Sequence, residues 1–284
     1  MKNKLGVMQG RLLPKYKNRY QAHPVGYWQD EFKLAEEIRL DCIEFILDYN
    51  DYELNPLTSS KGVQEIKACS AKTGVAVHSI CADYFMEAPL HSEVKKDANG
   101  SIEVMIDLLH TAAELGVGDI VVPCVDNSSL QIDSYSRNRF VKQLKKVVPT
   151  AEKLNVNLSL ETDLPPDSFV DLLQCFNSRN VTVNYDIGNS AALGFHPVAE
   201  LNAYGHKISD IHIKDRIRGG GPVTLGAGAA NFNLFFSKLK EINFGGLFIM
   251  QAYRDDEGFE LFKNQLKWIK PYIENFGLND EKYS

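Results

Sequence analysis

The feature that most constrains this chain is a repeated alternation of short, β-rich apolar runs with longer stretches of helical periodicity. The runs are LGVMQG (5–10), CIEFIL (42–47), VAVHSI (75–80), DIVVPCV (119–125), VNLSLET (156–162), VTVNYDIG (181–188), SDIHIKD (209–215) and GLFIMQAY (246–253). Between them the spacing predicts helices over Trp28–Ile38, Ser60–Thr73, Ile102–Leu115, Arg137–Leu154, Pro166–Phe176, Pro197–Tyr204, Phe232–Ile242 and Phe259–Phe276. Gly74 and Gly116 act as C-terminal stop signals. Pro166 falls in a first turn, where its missing N–H costs nothing, and Pro149 marks a kink or break.

Strands alternating with helices imply a parallel sheet. Eight such units, without a Gly-rich dinucleotide fingerprint after the first strand, predict a closed α/β barrel, a (β/α)8 TIM barrel, rather than an open sheet. The 284 residues, 44% of them hydrophobic, suffice for one large core. No Pro/Gly/Ser linker divides them, so 1–284 reads as a single barrel domain whose polar tail, 277–284, is frayed.

Charge and cysteine content narrow the partners. A formal net charge of -6 offers no general attraction to nucleic acid or anionic membrane. No stretch reaches the ~18 apolar residues of a membrane span, and the start, MKNKLGVMQGRLLPK, has no signal-peptide core or cleavage site. Five dispersed cysteines without a CxxC pair point to a reducing cytoplasm and to buried, apolar roles. The expected partner is a small polyhydroxylated molecule, and association into a homo-oligomer is left open.

Barrel strands bury both faces, so ionisable groups at their ends need an explanation. Here they concentrate at the C-terminal ends: Glu161 in SLETD, Asp186 in NYDIGN, His212 and Lys214 in IHIKD, and Gln251 in IMQAYR, with His78 and Glu44 in the same pattern. Period two places Asn157, Ser159, Glu161 and Asp163 on one face, and Asp210, His212 and Lys214 on another. Two carboxylates and an imidazole converging in one cavity repel or go unsatisfied unless something neutralises them. One divalent cation (Mn, Mg, Co or Zn) does so, and oxygen with imidazole nitrogen suits it.

Cations gather on the same face: Arg11 after the first run, Arg216 and Arg218 after the seventh, Arg254 after the eighth. The loop GGGPVTLGAGAANF (219–232) enters a helix and can present backbone N–H groups to an anion around Gly226 and Gly228. These features predict an anionic substrate group. Long loops at Leu12–Tyr27 and Ala82–Gly100 follow strands and are expected to cover a site.

SLETD, NYDIGN, HIKDR and TLGAGAANF, one per consecutive strand, resemble the xylose isomerase-like TIM-barrel superfamily over nearly the whole chain. That group includes D-tagatose 3-epimerase, sugar-phosphate isomerases and epimerases, inosose dehydratase and endonuclease IV. The resemblance implies a metal held by Glu161, Asp186, His212 and, at the fourth position, Gln251. It also makes His78 similar to a strand-three histidine that contacts substrate or metal in relatives, and so a candidate catalytic residue, while Glu44, Gln251 and the cationic residues read as substrate-binding. Gln251 departs from the Glu of sugar epimerases and cannot act as a base near neutral pH. The expectation is therefore an isomerase or epimerase working through an enediol(ate), with Glu161 as its base. Asp163, Lys214 or another residue would have to stand in for any second base. A dehydratase of a keto-polyol and a non-catalytic sugar-binding barrel are the alternatives. Asn189 replaces a zinc histidine of endonuclease IV and speaks against a nuclease.

Overall fold

The computed structural model describes residues 3–277. The tail expected to fray lies, beyond Gly277, outside the described residues. Eight parallel strands close into a barrel: β1 (Leu5–Met8), β2 (Cys42–Ile46), β3 (Ala76–Cys81), β4 (Asp119–Cys124), β5 (Asn157–Thr162), β6 (Val181–Asp186), β7 (Ile208–Ile213) and β8 (Leu247–Met250). Each strand pairs with its sequence neighbours, and Leu5 opposite Phe248 closes the ring. All eight runs are strands, though several end sooner than their apolar pattern does.

Period two sorts the core into two bodies. On β2, Ile43 and Phe45 face outward into the large cluster beneath the helices, while Cys42 and Ile46 face inward. The inward cluster of Met8, Cys42, Ile46, Cys81, Val121 and Ile249 fills the barrel. At roughly 25 cal/mol per Å² of apolar surface, burying each large side chain contributes about 1.5–3 kcal/mol. Filled barrel interiors leave room for chemistry only at the mouth.

The outer helices are α1 (Asp30–Glu37), α2 (Ser60–Thr73), α3 (Tyr84–Glu87), α4 (Lys95–Leu115), α5 (Ser134–Leu154), α6 (Pro166–Gln174), α7 (Ile187–Leu193), α8 (Pro197–Tyr204), α9 (Phe232–Glu241) and α10 (Phe259–Gly277). Ser59 caps α2 by accepting from Gly62 N, and Gly74 ends it at φ 75. Three differences from expectation have local causes. α4 begins at Lys95 because KKDANGS is polar and hides its pitch, although Ala98 and Ser101 are buried. α5 runs through Pro149 without ending. α3 and α7 are too short for periodicity to reveal.

Cys42, Cys81 and Cys124 are buried as expected, but Cys69 is half-buried and Cys175 exposed; all five are free thiols. Among the described residues no helix is long and apolar enough to cross a membrane.

Candidate active site

A cavity of about 360 Å³ opens at the C-terminal ends of the strands. Glu161, Lys214, Arg216 and Gln251 line it, joined by Asp83, Asn189 and the loop residues Arg19 and Gln21. Glu161, in its lining, belongs to a buried cluster in which the ligand atoms of Glu161, Asp186 and His212 all lie within 4.8 Å of one another. The register explains this convergence. Asp186 is paired directly with His212 across β6 and β7, and Glu161 shares the inward face of β5 with Ser159. Burial first, and the Asp186 carboxylate second, push the Glu161 carboxyl up from its ordinary range.

Neighbours hold this cluster in place. Asn189 Nδ2 donates to Glu161 Oε1 at 2.7 Å, and Asp186 Oδ1 accepts from Asn189 N at 2.8 Å as the N-cap of α7. Arg216 Nη1 donates to Asn189 Oδ1 at 2.8 Å, and Lys214 Nζ lies 3.2 Å from Asp186 Oδ2. Asn184 Nδ2 sits 3.1 Å from His212 Nδ1, and His212 Nε2 sits 2.8 Å from Glu44 Oε1. With the Asn184 amide donating to Nδ1, the ring proton belongs on Nε2 and points at Glu44. The Nδ1 lone pair then accepts from Asn184, with Glu161 Oε2 3.9 Å away.

Several expected site residues stand elsewhere. Glu44 is fully buried against His212 and is not among the residues lining the cavity. His78 lies at the opposite end of the barrel, its Nε2 against Lys4 Nζ, in a depression also lined by Asn157, Ser209 and Leu247. The cause is its place along β3: His78 precedes Ser79, where the pairing with β4 begins, and it is also the residue that β2 pairs past at the shift between Ile43 and Glu44. Asp163 is likewise outside the cavity lining.

The cations also divide. Arg11 is buried and donates to Tyr20 O (2.9 Å) and Gln21 Oε1 (2.8 Å), with its guanidinium over the Tyr20 ring. Arg254 donates to Gly10 O at 2.6 Å and Leu13 O at 2.7 Å. Both fasten the loop after β1 and do not reach the cavity. Arg218 lies against Gly194 in a separate depression, and of the four arginines only Arg216 faces the site.

The glycine-rich loop does bind an anion, but an internal one. Asp215 is fully buried. Its Oδ1 accepts from Arg216 N (2.9 Å) and Ala230 N (3.1 Å), and its Oδ2 from Gly226 N (3.0 Å) and Gly228 N (2.9 Å). A Cβ on Gly228 would stand 2.2 Å from Asp215 Oδ1, so only glycine allows this approach.

Residues that sequence reasoning passed over complete the mouth. Arg19 makes a two-pronged pair with Asp48 at 2.5 and 2.9 Å. Gln21 Nε2 donates to Asp83 Oδ2 at 2.7 Å, and Gln251 Nε2 donates to Gln21 Oε1 at 2.9 Å. The buried Gln251 Oε1 has no hydrogen-bond partner. Asp83 was visible only as a member of a long loop after a strand.

A filled barrel with an acid–imidazole cluster at the strand ends defines the class: a (β/α)8 barrel with its site on the C-terminal face. The chain belongs to the xylose isomerase-like TIM barrel family, whose family model matches residues 32–272. It is 27% identical over 271 residues to the L-ribulose-5-phosphate 3-epimerase UlaE of Escherichia coli O1:K1 / APEC, covering 91% of this chain and 94% of that protein. The UlaE of Salmonella heidelberg (strain SL476) is also 27% identical, over 270 residues, with the same coverage. Among solved structures, the IOLI protein with a binding zinc atom superimposes with a TM-score of 0.77 at 18% identity, over 96% of this chain and 99% of that one. A D-tagatose 3-epimerase-like protein gives 0.75 at 20% identity, over 96% and 98%. These two likenesses carry the fold.

Proposed function

We propose that this isomerase-class enzyme epimerises or isomerises a keto sugar by proton transfer at a carbon beside the carbonyl, with Glu161 as a base. The observation that carries the reading is the Glu161–Asp186–His212 cluster, whose Glu161 lines a cavity large enough for a small sugar. The curated relatives, named as L-ribulose-5-phosphate 3-epimerases, favour the same reaction class.

The residues fit a divalent metal. Two crowded carboxylates and an imidazole nitrogen converge, and the orphaned Gln251 Oε1 supplies a neutral oxygen in the wall that Glu161 also lines. Glu161, Asp186, His212 and Gln251 would hold it. Such an ion supplies Lewis-acid polarisation of substrate oxygens. Glu161 takes the proton, Asn189 fixes one of its oxygens, and Lys214 balances the charge of Asp186. Gln251, with no titratable group, orients without transferring a proton. The three cations at the wall, Arg19, Lys214 and Arg216, are each engaged by Asp48, Asp186 and Asn189.

Two measurements test this. Metal analysis of protein purified without added metal should find a bound divalent ion, and Asp186→Ala should bring it to background. Metal content unchanged by that substitution would remove the proposed centre. In D₂O, the wild type should exchange a substrate C–H of D-tagatose or L-ribulose 5-phosphate, read by NMR. A dehydratase would instead release water from its substrate, and a binding barrel would exchange nothing.

A further inference from the structure

We propose that Asp83 is the second proton-transfer residue, supplying from the end of β3 the carboxylate that β8 lacks at Gln251. The proposal rests on the epimerase reading above. Asp83 and Glu161 line the same cavity, and Gln251 lines it with them. Gln21 tells where Asp83 stands. Its Oε1 already accepts from Arg11 (2.8 Å) and Gln251 (2.9 Å), so its amide orientation is fixed and its Nε2 must point to Asp83 Oδ2. Asp83 is therefore two hydrogen bonds from the Gln251 side chain.

Its other oxygen is free for chemistry. Asp83 Oδ1 meets only the weak thiol donor of Cys81, at 3.2 Å. Among the described residues no cation pairs with Asp83, whereas Asp48 is clamped by Arg19 and Asp186 by Lys214. Glu87 and Asp126, the remaining carboxylates at the wall, are exposed at the rim. Enclosure in the barrel mouth raises the proton affinity of Asp83 above that of an ordinary aspartate, the direction an acid partner needs.

The step balances. Glu161 removes the proton from the carbinol carbon beside the carbonyl, and the C–H electron pair becomes the C=C bond of an enediolate as the carbonyl oxygen takes the charge. Asp83 then gives its proton to the opposite face of that carbon, and the enediolate electrons reform the carbonyl. Glu161 ends protonated and Asp83 ionised, and exchange with water restores both.

The test is Asp83→Asn compared with wild type on D-tagatose and L-ribulose 5-phosphate in D₂O, with melting temperature and metal content measured alongside. Loss of a positioned acid or base lowers a rate by about 10² to 10⁴, and epimerisation should fall by that much. Deuterium should still wash into one epimer through Glu161. Asp83→Glu, which keeps an ionisable oxygen, should retain epimerisation where Asn loses it, and this separates chemistry from misfolding. Epimerisation by Asp83→Asn within a few-fold of wild type would overturn the proposal. So would equal loss of exchange from both epimers at normal metal content. Wild type without C–H exchange on either sugar would overturn the epimerase reading itself, and this proposal with it.

Discussion

Glu161→Gln should lower turnover by about 10² to 10⁴ and abolish solvent-deuterium incorporation at the carbon Glu161 deprotonates. The substitution is nearly isosteric, and the amide can still face Asn189, which lies 2.7 Å from Oε1. What it removes is the basic oxygen. Because Glu161 also belongs to the cluster with Asp186 and His212, the measurement needs saturating metal and a metal analysis of the variant. Exchange persisting within tenfold of wild type at full metal content would show that another group carries the proton.

Asp215→Ala should be the most damaging single change to stability near the site. One carboxylate satisfies four backbone N–H groups, on Arg216, Gly226, Gly228 and Ala230. A buried donor left without a partner costs about 1–3 kcal/mol, and bonds to a charged acceptor are the stronger kind. Even with water entering to satisfy some of them, the loss should be about 3 kcal/mol or more. For a chain of this size that lowers the melting temperature by roughly 5–10 °C. Asp215→Asn, which keeps one acceptor oxygen, should fall between. The loop also carries Arg216 to Asn189, so KM should rise before kcat changes. A melting temperature for Asp215→Ala equal to that of wild type would mean the loop holds its shape without the carboxylate.

What the sequence made legible follows from where the chain is periodic. On strands, alternation assigns each side chain a face, so Glu161 and His212 could be turned inward from spacing, and Asp186 joined them from its place at a strand end and from the family resemblance. The same logic misplaced His78, because an apolar run does not say where its strand ends: β3 continues to Cys81, which leaves His78 in its first half. Loops carry no period. Arg11, Arg218 and Arg254 are near the site in sequence, yet their guanidinium groups turn to backbone carbonyls or to another depression. For the same reason Asp83 and Gln21 escaped notice although they face the cavity. The glycine loop was read as holding a substrate anion, because composition could not tell that the N–H groups of Gly226 and Gly228 go to an internal carboxylate, Asp215.

Gln21 touches Arg11, Asp83 and Gln251 at once, although these four residues come from three separate stretches of chain. In descent, such a hub makes its partners one inherited unit. A lineage that placed Glu at 251 would set a second carboxylate against the oxygen of Gln21 and leave Asp83 redundant. Substitutions at 21, 83 and 251 are therefore expected to travel together. A β1 loop grafted from a relative without its matching residues at 83 and 251 should arrive mismatched.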